Sequence, residues 1–427
     1  MDFFDIKGGD IMEGEITPSG NKNEALPVLA ASLLCEDKVV LKNVPDIKDV
    51  NVMLEIMSSL GISVSKRSSN EIEIDASNIN DKPLDAELCG KIRTSILFAG
   101  PLLARTGSVV LPLPGGDVIG RRRLDTHFLG FEQLGALYSN INNGYKIVAN
   151  QLNGADIFLD EASVTATENI IMAAVFAKGI SVIRNAASEP HVQGLCKFLN
   201  SMGAKISGVG TNVLSIEGVD SLKSTTHTIG PDYIEAGSFI ALCAMTGGEL
   251  TVKNTDPASM VSILGTLKKI GIEPEVRGED IFVPHHPKLT IRKEMNNSIP
   301  KVDDGPWPSF PSDLMSMAIV AATQADGTVL FFEKMFESRL FFVDRLISMG
   351  AQIILCDPHR VVVSGSSQLY GTKLDSPDIR AGMALVMAAV CAKGRSRIYN
   401  IGQIDRGYEN LEGKLRKVGI TIERKKA

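Results

Sequence analysis

The sequence predicts an α/β architecture made of six copies of one unit, folded as two similar lobes of three. Three observations predict it. A short signature, an amphipathic run followed by an apolar residue, a glycine and a strand-like segment, occurs six times. Its copies are Leu60-Gly61-Ile62, Leu134-Gly135-Ala136, Met202-Gly203-Ala204, Ile270-Gly271-Ile272, Met349-Gly350-Ala351 and Val418-Gly419-Ile420. They recur about every 70 residues, the mark of an internal repeat. Each repeat also carries a helix too apolar to have a wet face. Finally, polar joints containing Gly or Pro, at 19–22 and 229–232, divide these helices three and three.

The elements follow in order. The signature glycine reads as a left-handed cap that ends a helix and leads into a strand. The apolar helices are expected at Glu24–Cys35, Thr94–Ala104, Thr167–Ala177, Glu235–Met245, Ser312–Thr323 and Arg380–Ala392. Most end near a glycine and lead into a β-rich segment, such as Val39-Val40-Leu41 or Thr328-Val329-Leu330-Phe331. The other helix of a repeat, such as Asp49–Leu60 or Arg339–Met349, is amphipathic and is expected outside. Buried helices with sheets around them invert the usual α/β layering, and two such lobes leave a cleft between them.

Composition narrows the function. The 427 residues carry a formal net charge of −6, from 44 basic and 50 acidic side chains. A duplex nucleic-acid binder usually carries a basic surplus, so nucleic acid is not an expected partner. Any anion site must be a local gathering of cations. The start, Met1-Asp2-Phe3-Phe4-Asp5, has neither a basic segment nor a long apolar run, so no signal peptide is expected. The apolar stretch at 381–392 is too short to span a bilayer, and no membrane partner is expected. Six scattered cysteines without a Cys-x-x-Cys pair read as free thiols in a reducing compartment, the cytoplasm. The histidines have no metal-ligand spacing.

Three segments could carry chemistry. In Ser19-Gly20-Asn21-Lys22-Asn23, Lys22 stands at a helix N-terminus, which favours anions, or is a loop lysine behind an asparagine cap. The run from Leu111 to Asp125 holds a Gly/Pro loop with Asp117 at its tip, then Arg121-Arg122-Arg123 at the expected start of a helix. Three cations there oppose the helix dipole, and either an anionic ligand or a solvated basic turn explains them. In Pro306-Trp307-Pro308-Ser309-Phe310-Pro311-Ser312-Asp313, Ser312 reads as an N-cap with Asp313 in the first turn. Arg93, Arg339, Asp378-Ile379-Arg380 and Asp405-Arg406-Gly407-Tyr408 are weaker candidates. Asp125-Thr126-His127 reads as helix surface.

Taken in order, Ser-Gly-x-Lys-Asn, Pro-Gly-Gly-x-x-x-Gly, Phe-Pro-x-Asp and Asp-Arg-Gly-Tyr resemble the enolpyruvyl transferases along essentially the whole chain, most of all those acting on UDP-N-acetylglucosamine. The resemblance implies an inside-out α/β barrel of two lobes, each of three βαβαββ units. It places the first lobe at 22–230, with the mobile loop 112–123, and the second at 1–21 plus 231–427, with the active site in the interlobe cleft. It implies transfer of the enolpyruvyl group of phosphoenolpyruvate to the sugar 3-hydroxyl, with release of phosphate and without cofactor or metal. A small anion charged at both ends suits several cations. By family position Lys22, Asn23, Arg122, Arg380 and Arg406 bind phosphoenolpyruvate. Arg93, Arg122, Arg123, Leu124, Asp125, Thr126, Ser163, Val164, Asp313 and Met335 face the UDP-sugar. Asp117 is the implied general acid, Asp313 the base, and Lys22 and Asn23 complete the catalytic set.

Two departures from the family pattern matter. The loop tip usually carries cysteine and here carries Asp117. A carboxylic acid still delivers protons but is a far poorer nucleophile than a thiolate, so resistance to the epoxide fosfomycin is expected. Glu161 stands where the family often has a lysine facing the nucleotide, and Arg121 or Arg123 would have to compensate. The alternatives are a transferase acting on another nucleotide sugar, the relative acting on shikimate 3-phosphate, and a non-catalytic sugar-nucleotide sensor. The shikimate branch is disfavoured because its Gly-Asn-x-Gly-Thr segment is absent.

Overall fold

The computed structural model describes residues 2–80, 82–117 and 119–426. The chain divides into two units. The first comprises Met1–Ser19, Val118–Arg121 and Pro231–Ala427; the second comprises Gly20–Asp117 and Arg122–Gly230.

One repeat shows how the units are built. Strand Asp156–Phe158 is followed by helix Val164–Ala174, strand Ile180–Arg184, helix Pro190–Ser201 and the hairpin strands Lys205–Ser207 and Val213–Glu217. The first two strands pair in parallel across the helix, and the hairpin adds antiparallel. This is a βαβαββ unit. Five four-stranded sheets share this order, one parallel pair and then antiparallel neighbours. The sixth, of Ser108–Pro112, Gly144–Val148 and Leu137–Ile141, has three strands. The N-terminal strands complete sheets of the first unit: Asp2–Lys7 lies between Arg395–Tyr399 and Ile422–Lys426, and Glu13–Ile16 lies beside Glu249–Val252.

The apolar helices lie inside. We label them α1 (Lys22–Ala31), α2 (Ala99–Thr106), α3 (Val164–Ala174), α4 (Tyr233–Thr246), α5 (Met315–Thr323) and α6 (Ile379–Cys391). Every residue of α5, and all of α6 before Cys391, is buried. In the first unit α4, α5 and α6 pack on one another; in the second, α2 packs on α3. The strands alternate: Glu71–Asp75 buries Ile72 and Ile74 and half-exposes the acids between them. Each sheet thus turns its apolar face to the helices, and each unit has one hydrophobic core. Outer helices such as Lys48–Ser59 bury one stripe, Val50, Met53, Ile56 and Met57.

Local details differ from the sequence reading. The expected helices at 94–104 and 312–323 each begin with a 3-10 turn, Arg93–Phe98 and Ser312–Leu314. Ser312 does not cap its helix, because its hydroxyl is turned to Glu333. The arginines 121–123 precede the helix Asp125–Gln133 instead of opening it, which removes the conflict with its dipole. Thr126 and His127 are 2% and 1% exposed, not surface groups. Cys35, Cys89, Cys196 and Cys243 are buried thiols, Cys391 is half-buried and Cys356 is exposed.

Candidate active site

In the second unit, α1 opens on Asn21, whose side chain accepts from the N–H groups of Asn23 (2.8 Å) and Glu24 (3.2 Å). This cap presents Lys22 and Asn23 at the helix start. Lys22 Nζ lies 2.8 Å from Asp49 Oδ2, and both side chains are buried. Glu24, one turn in, accepts from the Gly230 N–H at 3.1 Å and lies 2.9 Å from His227 Nε2.

The same unit holds a cavity of about 520 Å³ lined by Arg93, Pro114, Arg122, Leu124, Asp125 and Phe128. Arg93 donates to the carbonyl oxygens of Arg122 and Arg123, so one guanidinium fixes the backbone of two loop arginines. Desolvation, with the Arg122 charge, pulls Arg93 down to about 10. Gly116, at φ +105°, passes against Arg93, where a Cβ would stand 2.8 Å from the Arg93 Cβ. That close approach requires glycine one residue before the half-buried Asp117.

Arg123 is committed to acids: Asp125 at 3.1 Å and Asp160 at 3.6 Å, with the Glu161 charge adding to its field. Thr126 donates to Asp160 at 2.8 Å. Ser163 caps α3, accepting from the Ala166 N–H, and Val164 is its first residue. Buried His127 contacts Thr165 and Asn169. Desolvation, helped by the Arg93 charge, pulls its imidazole down to about 3, so it is neutral near pH 7.

In the first unit, Asp313 is held by two arginines. Arg339 Nη2 donates to Oδ1 at 3.1 Å, and Arg380 approaches Oδ2 with Nε at 3.0 Å and Nη2 at 2.8 Å. Both guanidinium side chains are buried, whereas that of Asp313 is 30% exposed. Burial opposes the Arg380 charge, but Asp313, Tyr408 and Asp232 outweigh it and hold the cation above its ordinary value. Arg380 opens α6, capped by Asp378, and sits 5.5 Å over the Tyr408 ring. Arg406 lies in the adjacent 3-10 turn Ile404–Arg406 and donates to Gln403 at 3.0 Å, while Asp405 binds Arg424. Met335 is 37% exposed, four residues before Arg339.

The loop segment 119–121 also belongs to the first unit. The Arg121 N–H donates to Glu337 Oε1 at 2.8 Å, and the Ser338 N–H donates to the Ile119 oxygen at 3.1 Å. Gly120, at φ +142°, lies flat against Glu337, where a Cβ would come within 2.5 Å of its carboxylate.

Two sets of expected residues are therefore gathered, Arg93, Arg122, Leu124 and Asp125 around one cavity and Asp313 with Arg380 and Arg339. Asp49, Glu333, Asp304 and the aromatic group Phe128, Tyr138 and Tyr145 escaped the sequence reading. In the last, Phe128 stacks on Tyr138 at 4.6 Å between ring centroids and packs tilted against Tyr145 at 4.7 Å. Only the β-alternation around Tyr138 and Tyr145 hints at them. Among the described residues no cluster of His, Cys, Asp or Glu could hold a metal, and no helix is long and apolar enough to cross a membrane.

Residues 6–415 match the family described as EPSP synthase (3-phosphoshikimate 1-carboxyvinyltransferase). The chain is similar to a UDP-N-acetylglucosamine 1-carboxyvinyltransferase of Treponema denticola, 55% identical over 425 residues and covering 100% of both chains. It is 52% identical to the protein of that name from Bradyrhizobium diazoefficiens, covering 98% of this chain and 97% of the relative. Among solved structures, the fold is similar to the enolpyruvyl transferase NikO from Streptomyces tendae, with TM-score 0.88, 23% identity, and 100% and 99% of the two chains covered. It is also similar to the EPSP synthase of Acinetobacter baumannii, with TM-score 0.77, 18% identity and 100% of each chain covered.

Proposed function

The chain belongs to the EPSP synthase family of enolpyruvyl transferases, and from that premise we propose that its acceptor is UDP-N-acetylglucosamine. It transfers the enolpyruvyl group of phosphoenolpyruvate to the sugar 3-hydroxyl and releases phosphate, the first committed step of peptidoglycan synthesis. One observation carries the choice of acceptor: relatives at 50–55% identity over the full chain bear the sugar-nucleotide name. The gathering of Arg93, Arg122, Leu124 and Asp125 around one cavity supports it.

The residues suit the chemistry. Lys22, Arg122, Arg380 and Arg406 supply cations for the phosphate and carboxylate of phosphoenolpyruvate, with arginine giving two-point contacts. Addition needs a proton at the methylene carbon and removal of one from the hydroxyl. Asp117 delivers the first, Asp313 takes the second, and Asn23 orients the reacting groups. Elimination reverses the transfers and expels phosphate. Arg123, Thr126, Ser163, Val164 and Met335 take the nucleotide sugar. Arg123 already faces two carboxylates, so it does not by itself offset Glu161. Both substrates are polyanions that a bilayer excludes, which supports a cytoplasmic enzyme.

Phosphate release from phosphoenolpyruvate tests the reading. Turnover is expected with UDP-N-acetylglucosamine and not with shikimate 3-phosphate. Turnover only with another UDP-sugar would transfer the proposal to that acceptor. Tight nucleotide binding without turnover would make the protein a sensor.

A further inference from the structure

The turn carrying Asp313 is anchored from behind by two buried carboxyl groups that the reaction does not use. Lys301–Asp303 and Gly327–Phe332 are parallel neighbours, with Asp303 opposite Phe332. The residues that follow, Asp304 and Glu333, are therefore delivered side by side, 2% and 0% exposed. Ser312, the residue before Asp313, donates to both Glu333 oxygens, at 2.8 and 3.1 Å. The Phe336 N–H donates to Glu333 at 3.1 Å, and the Lys334 N–H to Asp304 Oδ1 at 2.5 Å.

Among the described residues, two polar atoms here are buried without a hydrogen-bond partner, Asp304 Oδ2 and Arg339 Nε. Arg339 Nε lies 3.8 Å from Glu333 Oε2, while its Nη2 bonds Asp313. One guanidinium thus stands between Glu333 and Asp313. Two enclosed carboxyls side by side cannot both ionise cheaply. Burial, reinforced by Asp304, pushes Glu333 up to about 8 against the pull of Arg339 and Ser312.

We propose that Glu333, set beside Asp304, holds a proton and that the two act together as a positioning pair for Asp313. While Glu333 keeps its proton, Ser312 pins the 312–314 turn and Arg339 is left to Asp313. When it is lost, Glu333 carries a full charge beside the unpartnered Nε, draws the guanidinium away and releases Asp313 from its catalytic pose. The other charges nearby are committed elsewhere. Lys334 binds Asp303, His359 Nδ1 contacts the Glu333 backbone oxygen at 2.7 Å, and Arg380 holds the far side of Asp313.

The pair's role rests on Asp313 serving as base, and the test separates the two ideas. Steady-state kinetics from pH 6 to about 9.5 would compare wild type, Glu333→Gln, Glu333→Ala and Asp304→Asn. Wild-type kcat is expected to fall by about tenfold per pH unit once the pair is ionised, with KM for both substrates unchanged. Glu333→Gln keeps an acceptor for Ser312 and a donor for Asp304 but has no proton to lose, so its kcat stays level; Asp304→Asn removes the charge that holds the Glu333 proton on, so its fall should begin at lower pH than in wild type. Glu333→Ala loses kcat at every pH. An alkaline fall in Glu333→Gln matching wild type would overturn the proposal. Trp307, the only tryptophan, lies in the segment between Asp304 and Ser312 and gives an activity-independent readout. Its fluorescence should titrate with Glu333 in wild type and not in Glu333→Gln; no titration in wild type refutes the proton on Glu333. Failure of wild type to turn over phosphoenolpyruvate with UDP-N-acetylglucosamine overturns the proposed function instead and leaves the fluorescence test standing.

Discussion

At the scale of single residues, the most consequential position is Asp117. A carboxylic acid can carry the proton transfer that the family's cysteine carries, but it offers a poor nucleophile to an epoxide. Wild type is therefore expected to keep its activity after incubation with fosfomycin. Asp117→Cys should retain turnover and become alkylated, which mass spectrometry detects, whereas Asp117→Asn should lose turnover and keep nucleotide affinity. Rapid stoichiometric inactivation of wild type by the drug would end this account. A second residue sets acid stability. His127 ionises near 6.5 in an unfolded chain and near 3 in its buried site. Between those values the unfolded chain takes up a proton that the folded chain refuses. Stability should fall by up to about 1.4 kcal/mol per pH unit as pH drops through this window. Urea titrations of wild type and His127→Gln at several pH values check this; parallel curves would clear His127 of the effect.

At the scale of elements, the helix starts and the loop carry the residues proposed to act. Asn21 satisfies two N–H groups of α1 just where Lys22 and Asn23 begin, so Asn21→Ala should cost about 1 kcal/mol, read from the urea midpoint. Gly120 combines a positive φ with direct contact to Glu337, so a side chain there is strained and also collides. Gly120→Ala is expected to lower kcat severalfold while leaving nucleotide affinity near wild type; an unchanged kcat would show that the loop reaches its working pose without this contact. The motif at 306–313 is visible in the sequence as the start of a helix, with Ser312 read as its cap. The partner of its hydroxyl is not: a serine before a helix is normally a cap, and only strand pairing 21 residues downstream brings Glu333 to claim it.

At the scale of the whole molecule, each unit has its own core of buried helices and sheets. Unfolding in urea is therefore expected in more than one step. Trp307 reports the first unit alone and far-ultraviolet circular dichroism reports both, so the two transition curves should not coincide. Superimposable curves would indicate a single cooperative unit.

The six-fold period, the apolar helices and the Gly/Pro loop were determined by the sequence, because periodicity and backbone permissiveness are local properties that each segment carries with it. The opening charge pattern, cations outnumbered overall yet dense at 121–123, was equally legible. Which charges meet was decided only by the tertiary structure. Asp49 reaches Lys22, Arg339 and Arg380 converge on Asp313, and Asp304 meets Glu333 because parallel strands and capped helices bring together residues far apart in the chain. The cost of burying a charge depends on the partners found there, and those are set by the fold.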